Sequence, residues 1–346
     1  MVRALIFAAL LVGIAVPGRA GDSGSGPVLQ VGRIYFFGAA GADVDRVSRN
    51  LPVHAGETLD LTSFDRIAQQ IRRVVLARTG SPATDVEAVC CDSARHLLIY
   101  IGLRGRSWKK LHFKRVPRGS ERLTPPGLQL YEEDEAAVAK AVESGATGED
   151  DSQGFALADD PAARKIELEM RGYAAGRGPE LERVLRNSGS GEEREASACL
   201  LGYADRSDEQ IRGLVSAAMD PDADVRNNAV RALAVLFSGK AEIPAGLNLE
   251  PLIELLWSGE WTDRNKASAA LAAMTRSREP GALAQLRTAM PPLLEGARWD
   301  EGHRYSFLLI LGRVAGVPEP ELQNMLKNGD AAAIVAAAEK VGLANR

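Results

Sequence analysis

The chain has 346 residues, room for about two domains, and its 45% hydrophobic and 25% charged residues are the balance of an ordinary globular protein. A net charge of −4 is too small to argue for nucleic acid or for an acidic substrate. Aromatics at 5%, with alanine and leucine dominating the second half, suit close-packed helices better than a large β-sandwich.

Residues 1–20 read as a cleavable signal peptide. Arg3 supplies a positive start, 4–16 (ALIFAALLVGIAV) is an apolar run short for a membrane span, and Gly18 and Ala20 are small enough for a signal peptidase. The alternative is an uncleaved membrane anchor. Residues 21–27 (GDSGSGP) read as a flexible leader, and the mature protein is expected to be periplasmic or secreted, with no integral membrane segment.

Residues 28–104 predict a small α+β domain. A strand at 31–38 ends at Gly38, and a short helix at 42–51 follows. A turn at 54–57 leads to a second helix, with Phe64, Ile67, Ile71 and Val75 on its buried side and Gly80 at its end. Strands at 83–91 and 96–104 complete the order β-α-α-β-β. Ile34, Phe36 and Gly38, then Gly56, Glu57, Leu59 and Asp60, resemble the loose pattern of a POTRA domain, a module found beside outer-membrane β-barrels. The resemblance implies pairing of a peptide with a sheet edge. Barrel insertion is not carried over, because there is one copy and no run of membrane strands follows. Cys90 and Cys91 read as two adjacent thiols or as a vicinal disulfide, and the third cysteine, Cys199, reads as core.

Residues 105–131 read as a basic connector. Eight cations between Arg104 and Arg122 interleave with Trp108, His112 and Phe113, a composition that suits either phosphate binding or an extended segment packed on the next domain. From 132 onward the chain predicts helices, interrupted by a loose loop at 145–154. Helical pairs follow at 179–187 with 192–202, 207–219 with 223–238, 249–257 with 261–274, 282–297 with 302–315, and 319–327 with 331–341. Pro291-Pro292 is expected to break or kink the helix it falls in.

The stretch 220–236 (DPDADVRNNAVRALAVL) is an acidic turn and then a helix whose Val225, Ala229, Ala232, Leu233 and Leu236 share one face. Arg264, Ala267 and Leu271 repeat Arg226, Ala229 and Leu233 at a spacing of 38 residues. One unit earlier, Glu193 takes the place of Arg226. A period of this length marks a helical-repeat array. Asp220, Pro221, Asp222, Val225, Arg226, Ala229 and Leu233 resemble HEAT repeats of the short type found in phycobilin lyases. The fold class expected is therefore a POTRA-like α+β domain followed by an all-α, HEAT-like right-handed solenoid over 132–346.

No nucleophile elbow, zinc helix, Walker loop or dinucleotide fingerprint is present, and the histidines are scattered. No enzyme activity, cofactor or metal is expected. The acidic clusters at helix starts read as caps, and Asp220, Asp224 and Arg226 as ties between repeats. Asn227, Asn228, Arg231, Asn265, Lys266, Arg304 and Tyr305 are expected to project from the second helices as one partner-binding surface. The function this implies is an exported scaffold that binds a protein. The alternative is an accessory to an envelope enzyme, with Cys90-Cys91 as a redox or metal element.

Overall fold

The computed structural model describes residues 28–343, apart from 93, 240–241 and 300–302. The targeting segment and leader read at 1–27 lie outside the described residues. The chain begins with β1 (Val28–Phe37), α1 (Val44–Ser48), β2 (Thr58–Asp60), α2 (Phe64–Thr79), β3 (Val86–Val89) and β4 (Leu97–Gly102). Next come α3 (Gly127–Glu143), β5 (Glu149–Asp150), β6 (Leu157–Ala158), α4 (Pro161–Ala174), α5 (Gly178–Asn187) and α6 (Gly191–Leu201). Then follow α7 (Asp208–Ala217), α8 (Ala223–Ser238), α9 (Glu250–Leu255), α10 (Trp261–Met274) and α11 (Pro280–Leu286). The last four are α12 (Met290–Ala297), α13 (Arg304–Val314), α14 (Glu319–Asn328) and α15 (Ala331–Leu343). Among the described residues, no helix is long and apolar enough to cross a membrane.

Contacts divide these residues into two compact units that do not follow sequence order. A repeat unit takes His112–Leu255 and Lys266–Gln285, and a sheet unit takes 28–111, Leu256–Asn265 and the residues from Leu286 on. The sequence reading had placed the last two of these segments with the helical repeats. Their assignment to the sheet follows from what the sheet must bury.

The sheet has the order β2-β1-β4-β3, with β1 parallel to β4 and the outer pairs antiparallel. The edge strand β2 follows directly on the turn read at 54–57. One face buries Val31, Ile99 and Ile101 against Val47, Ile71 and Val75 of α1 and α2. Helix α2 forms because Ala68, Ile71 and Val75 recur at helical spacing, and it stops at Gly80, whose φ of 73° suits only glycine well. The other face carries Tyr35, Phe37, Leu98 and Tyr100, buried with Trp261 and lined by Trp299. Trp261 lies flat on Tyr100, with centroids 3.6 Å apart. Every residue of β4 is thus buried, the expected state of a continuous apolar strand with both faces covered.

Glu295 of α12 locks this second face. Its carboxylate accepts hydrogen bonds from the Gly38 and Ala39 amides, each at 2.8 Å, and from the Ser107 hydroxyl at 2.8 Å. Arg264 pairs with it at 3.3 Å. Gly38 has φ of 67°, and an added Cβ would stand 2.3 Å from the Leu103 carbonyl oxygen, so no other residue fits there without strain. Beyond α12, α13 packs on α12, α14 and α15. The helix expected over 282–297 is broken before Pro291-Pro292, into α11 and α12, and the two prolines occupy the first turn of α12, which needs no amide donors.

In the repeat unit, α5 pairs with α6 and α7 with α8. The first helices α5, α7 and α9 pack in sequence, α6 packs on α8, and α3 and α4 lie against α6. Helix α3 starts at Gly127, so the basic connector is shorter than its expected span of 105–131. The loop read as loose at 145–154 instead supplies β5, which pairs with β6 as a small antiparallel ladder.

Candidate functional site

Three of the second helices, α6, α8 and α10, share one arginine contact near their start. Arg194 donates to the Ser188 carbonyl and Arg226 to the Asp220 carbonyl, both six residues back. In the sheet unit Arg264 donates to the Ser258 carbonyl, again six back. This corrects the register read from the sequence: the counterpart of Arg226 is Arg194, not Glu193, and this repeat is 32 residues long (226 − 194). Ser197 and Leu201 then match Ala229 and Leu233, and Cys199 matches Arg231, not the core residue Ala232. Ala229 and Leu233 are fully buried. Asp220 ties repeats together by receiving both Nε and Nη2 of Arg194 at 2.9 Å. Asp224 is exposed and is not part of that tie.

The basic connector is an extended strap across the repeat turns. In the repeat unit the Lys114 amide donates to the Met219 carbonyl, and the Gly119 amide to the Asn187 carbonyl. Gly189 donates back to Gly119. Phe113 lies 3.9 Å from the Arg226 guanidinium. In the sheet unit the Lys109 amide donates to the Trp257 carbonyl. Of the two readings of this segment, packing on the helices is the one its backbone makes.

On α8, Asp224, Asn227, Asn228 and Arg231 follow at i, i+3, i+4 and i+7 and share the face turned from the core. Asn228 donates to the Tyr131 hydroxyl of α3 at 3.2 Å, and Tyr131 donates to Glu195 of α6 at 2.6 Å. The Asn227 side-chain oxygen is buried without a hydrogen-bond partner, and so is Asp134 Oδ1 on α3. Burial pushes the Glu195 carboxyl up to about 7, with repulsion from Asp224, Glu135 and Asp222 adding to it. Burial and then Glu167 push Asp134 to about 7, and burial does the same to Glu167.

Arg231 pairs with Glu149 of β5. Burial opposes its charge, but Glu149 and its other neighbours outweigh that and hold the guanidinium above its ordinary range. Burial pushes Lys266 down to about 7. Lys266 and Asn265 are only 4% and 8% exposed, so neither projects as the sequence suggested. The ladder β5–β6 is the reason at Arg231, since it carries Glu149 onto the face expected to be open. Beside it, a cavity of about 20 Å³ touched by Cys199, Tyr203, Asn228 and Arg231 has room for one water. The Cys199 thiol is pushed well up by burial, which suits an inert group.

Arg304 and Tyr305 belong to the sheet unit, so the seven expected contact residues are divided between units. Both line a larger cavity of about 200 Å³ with Leu308, Leu326, Gly329 and Ala331. Cys90 and Cys91 are joined as a disulfide. Strand β3 stops at Val89, which frees the pair from the alternation that would point them apart. Among the described residues, no group of three His, Cys, Asp or Glu side chains could hold a metal.

No family model matches the chain, and no curated protein matches it. Among solved structures it is similar to a designed armadillo repeat protein, at 16% identity and a TM-score of 0.34, over 62% of this chain and 99% of that one. A second designed armadillo repeat protein, in complex with the peptide (KR)4, gives 16% identity and a TM-score of 0.35 over 63% and 98% of the two chains. At such scores the helical-repeat architecture rests on the helix pairs themselves.

Proposed function

We propose that the protein is an exported, non-enzymatic scaffold whose α8 face binds an extended segment of a protein partner. The observation that carries this reading is the Asn227 side-chain oxygen, which is buried and has no hydrogen-bond partner. A buried acceptor left unpaired costs about 1–3 kcal/mol, and a partner's N–H would remove that cost. Asn227 offers a donor and an acceptor, the pairing a peptide backbone requires, while the Asn228 amide is held by Tyr131 and the Glu195 carbonyl. The half-buried carboxyl of Glu195 and the unpartnered oxygen of the buried Asp134 favour segments rich in N–H donors. The POTRA-like reading of residues 28–104 and export through residues 1–20 complete the proposal. The β1–β4 pairing and the two helices on one sheet face support the first, and the apolar run 4–16 supports the second.

The test is selection of peptides from a random display library on the full chain, followed by titration of Asn227→Ala. The variant is expected to weaken the selected peptides about tenfold while melting no lower than the parent, because it deletes an unsatisfied group. Equal affinity in parent and variant would place the binding face elsewhere. N-terminal sequencing from the native host is expected to begin at Gly21, and an intact Met1 on membranes would overturn export. The exposed Cys90 of the vicinal disulfide favours the redox reading as a second one. A thiol count at residues 90 and 91 that stays at zero in mild dithiol would remove it.

A further inference from the structure

The cavity between α13, α14 and the start of α15 in the sheet unit has a donor side and an apolar side. Among the described lining residues, Arg304 supplies the one formal charge. The guanidinium spends one Nη1 hydrogen bond on the Trp299 carbonyl at 3.0 Å and has no carboxylate partner among the described residues. Tyr305 is its neighbour in the first turn of α13. Burial pushes the Tyr305 phenol above its ordinary range, so it stays a hydroxyl at neutral pH. Its hydroxyl makes no hydrogen bond to another described side chain or backbone group. Two helix starts, Arg304 of α13 and Ala331 of α15, meet at the cavity with the positive ends of their dipoles. At the end of α14 the Leu326 and Met325 carbonyls are taken by the Gly329 and Asp330 amides. Leu308 and Leu326 make the apolar side. At about 200 Å³ the cavity takes far more than one water, which needs about 10–15 Å³ of the same measure.

We infer that this cavity binds an aliphatic carboxylate, with the anion on Arg304 and the Tyr305 hydroxyl and the hydrocarbon on Leu308 and Leu326. A planar guanidinium fork is matched to a carboxylate, and the described lining of the cavity carries no acid, although Glu319 lies near enough to Tyr305 to act on its phenol. The chemistry fits the terminal residue of a polypeptide and equally a free acylated amino acid. The inference rests on the scaffold reading only for the first of these sources.

Isothermal titration of the full chain with a peptide ending in a free leucine carboxylate, with the same peptide as its amide, and with N-acetyl-leucine tests it. The free acid is expected to bind about tenfold or more tightly than the amide. Competition by N-acetyl-leucine assigns a free small carboxylate as sufficient, and failure to compete with the acid preference retained assigns the polypeptide terminus. Arg304→Gln is expected to erase the preference for acid over amide, and Tyr305→Phe, which keeps the ring's packing, to weaken the acid alone by about threefold to tenfold. Asn227→Ala, on the other unit, leaves these titrations unchanged, so failure here is separable from failure of the α8 face. Equal binding of acid and amide, or an undiminished preference in Tyr305→Phe and Arg304→Gln, overturns the inference.

Discussion

Asp220 and Arg194 are 6% and 1% exposed, and each satisfies the other's charge in the space between consecutive repeats. Removing one partner strands the other's charge in a buried site, which costs about 3–5 kcal/mol. Asp220→Ala is therefore expected to lower the unfolding free energy measured in urea by that much, and Asp224→Ala, on the exposed side of the same turn, to leave it within about 0.5 kcal/mol. Equal effects would mean that the tie between repeats has been misassigned. Glu167 gives a second test at this scale. Its folded-state pKa of about 7 lies above its ordinary 4.5, so the folded chain holds the proton more tightly than the unfolded one. Stability from this group is complete below pH 4.5 and is lost as pH rises to 7, and Asp134 and Glu195 act in the same sense. Lys266, lowered to about 7 from 10.5, acts the opposite way: its contribution is lost as pH falls through 7 and is whole only above 10.5. The urea midpoint is expected to fall between pH 5 and 7.5. Glu167→Gln is expected to flatten that slope by on the order of 1–3 kcal/mol, and an unchanged slope would discount burial as the cause.

At the scale of single elements, α8 and α10 lie where an acidic or serine-rich turn precedes an alanine–leucine stripe, because that pattern is local and has one period. The repeat before them was harder to place. Glu193 and Arg194 stand side by side and both are charged, so a register off by one residue matched equally well by composition. The distance from the turn serine settles it, since Ser188 and Ser258 both lie six residues before their arginine. The two-residue strands β5 and β6 were illegible in a Gly-, Asp- and Ser-rich stretch. With them went the cover over Arg231, for no local pattern states that Glu149 returns to a helix 82 residues away. Asn227 and Asn228 could be assigned to the candidate face from helical spacing alone. The strap was illegible for another reason: it is held by main-chain amides, which every residue but proline has. Its side chains add anchors of their own: Phe113 lies on Arg226, Lys114 donates to Ser216, and Arg122 pairs with Glu193. Phe113→Ala is expected to lose about 1–2 kcal/mol in thermal or urea unfolding, from the cation–π contact and the buried ring, while Val116→Ala, 56% exposed, stays within about 0.5 kcal/mol. A strap held by backbone alone would show no difference between them.

For the whole molecule, the sheet is the part that cannot stand alone. A fragment of residues 28–111 keeps α1 and α2 but uncovers Tyr35, Phe37, Leu98 and Tyr100, whose burial needs Trp261 and Trp299. Such a fragment is expected to bind a hydrophobic dye and to melt without a cooperative transition by circular dichroism. A sharp two-state melt would show that the sheet's second face is dispensable, as a free-standing module requires. The hydrogen bond from the Gly38 amide to Glu295 spans 257 residues of chain. A ribosome adding about 5–20 residues per second takes roughly 13–50 s to travel that distance. Through that interval β1 waits with its aromatic side bare, its partner unmade. β1 is thus completed only after α12 has emerged, and until then it depends on whatever shields nascent polypeptides from one another.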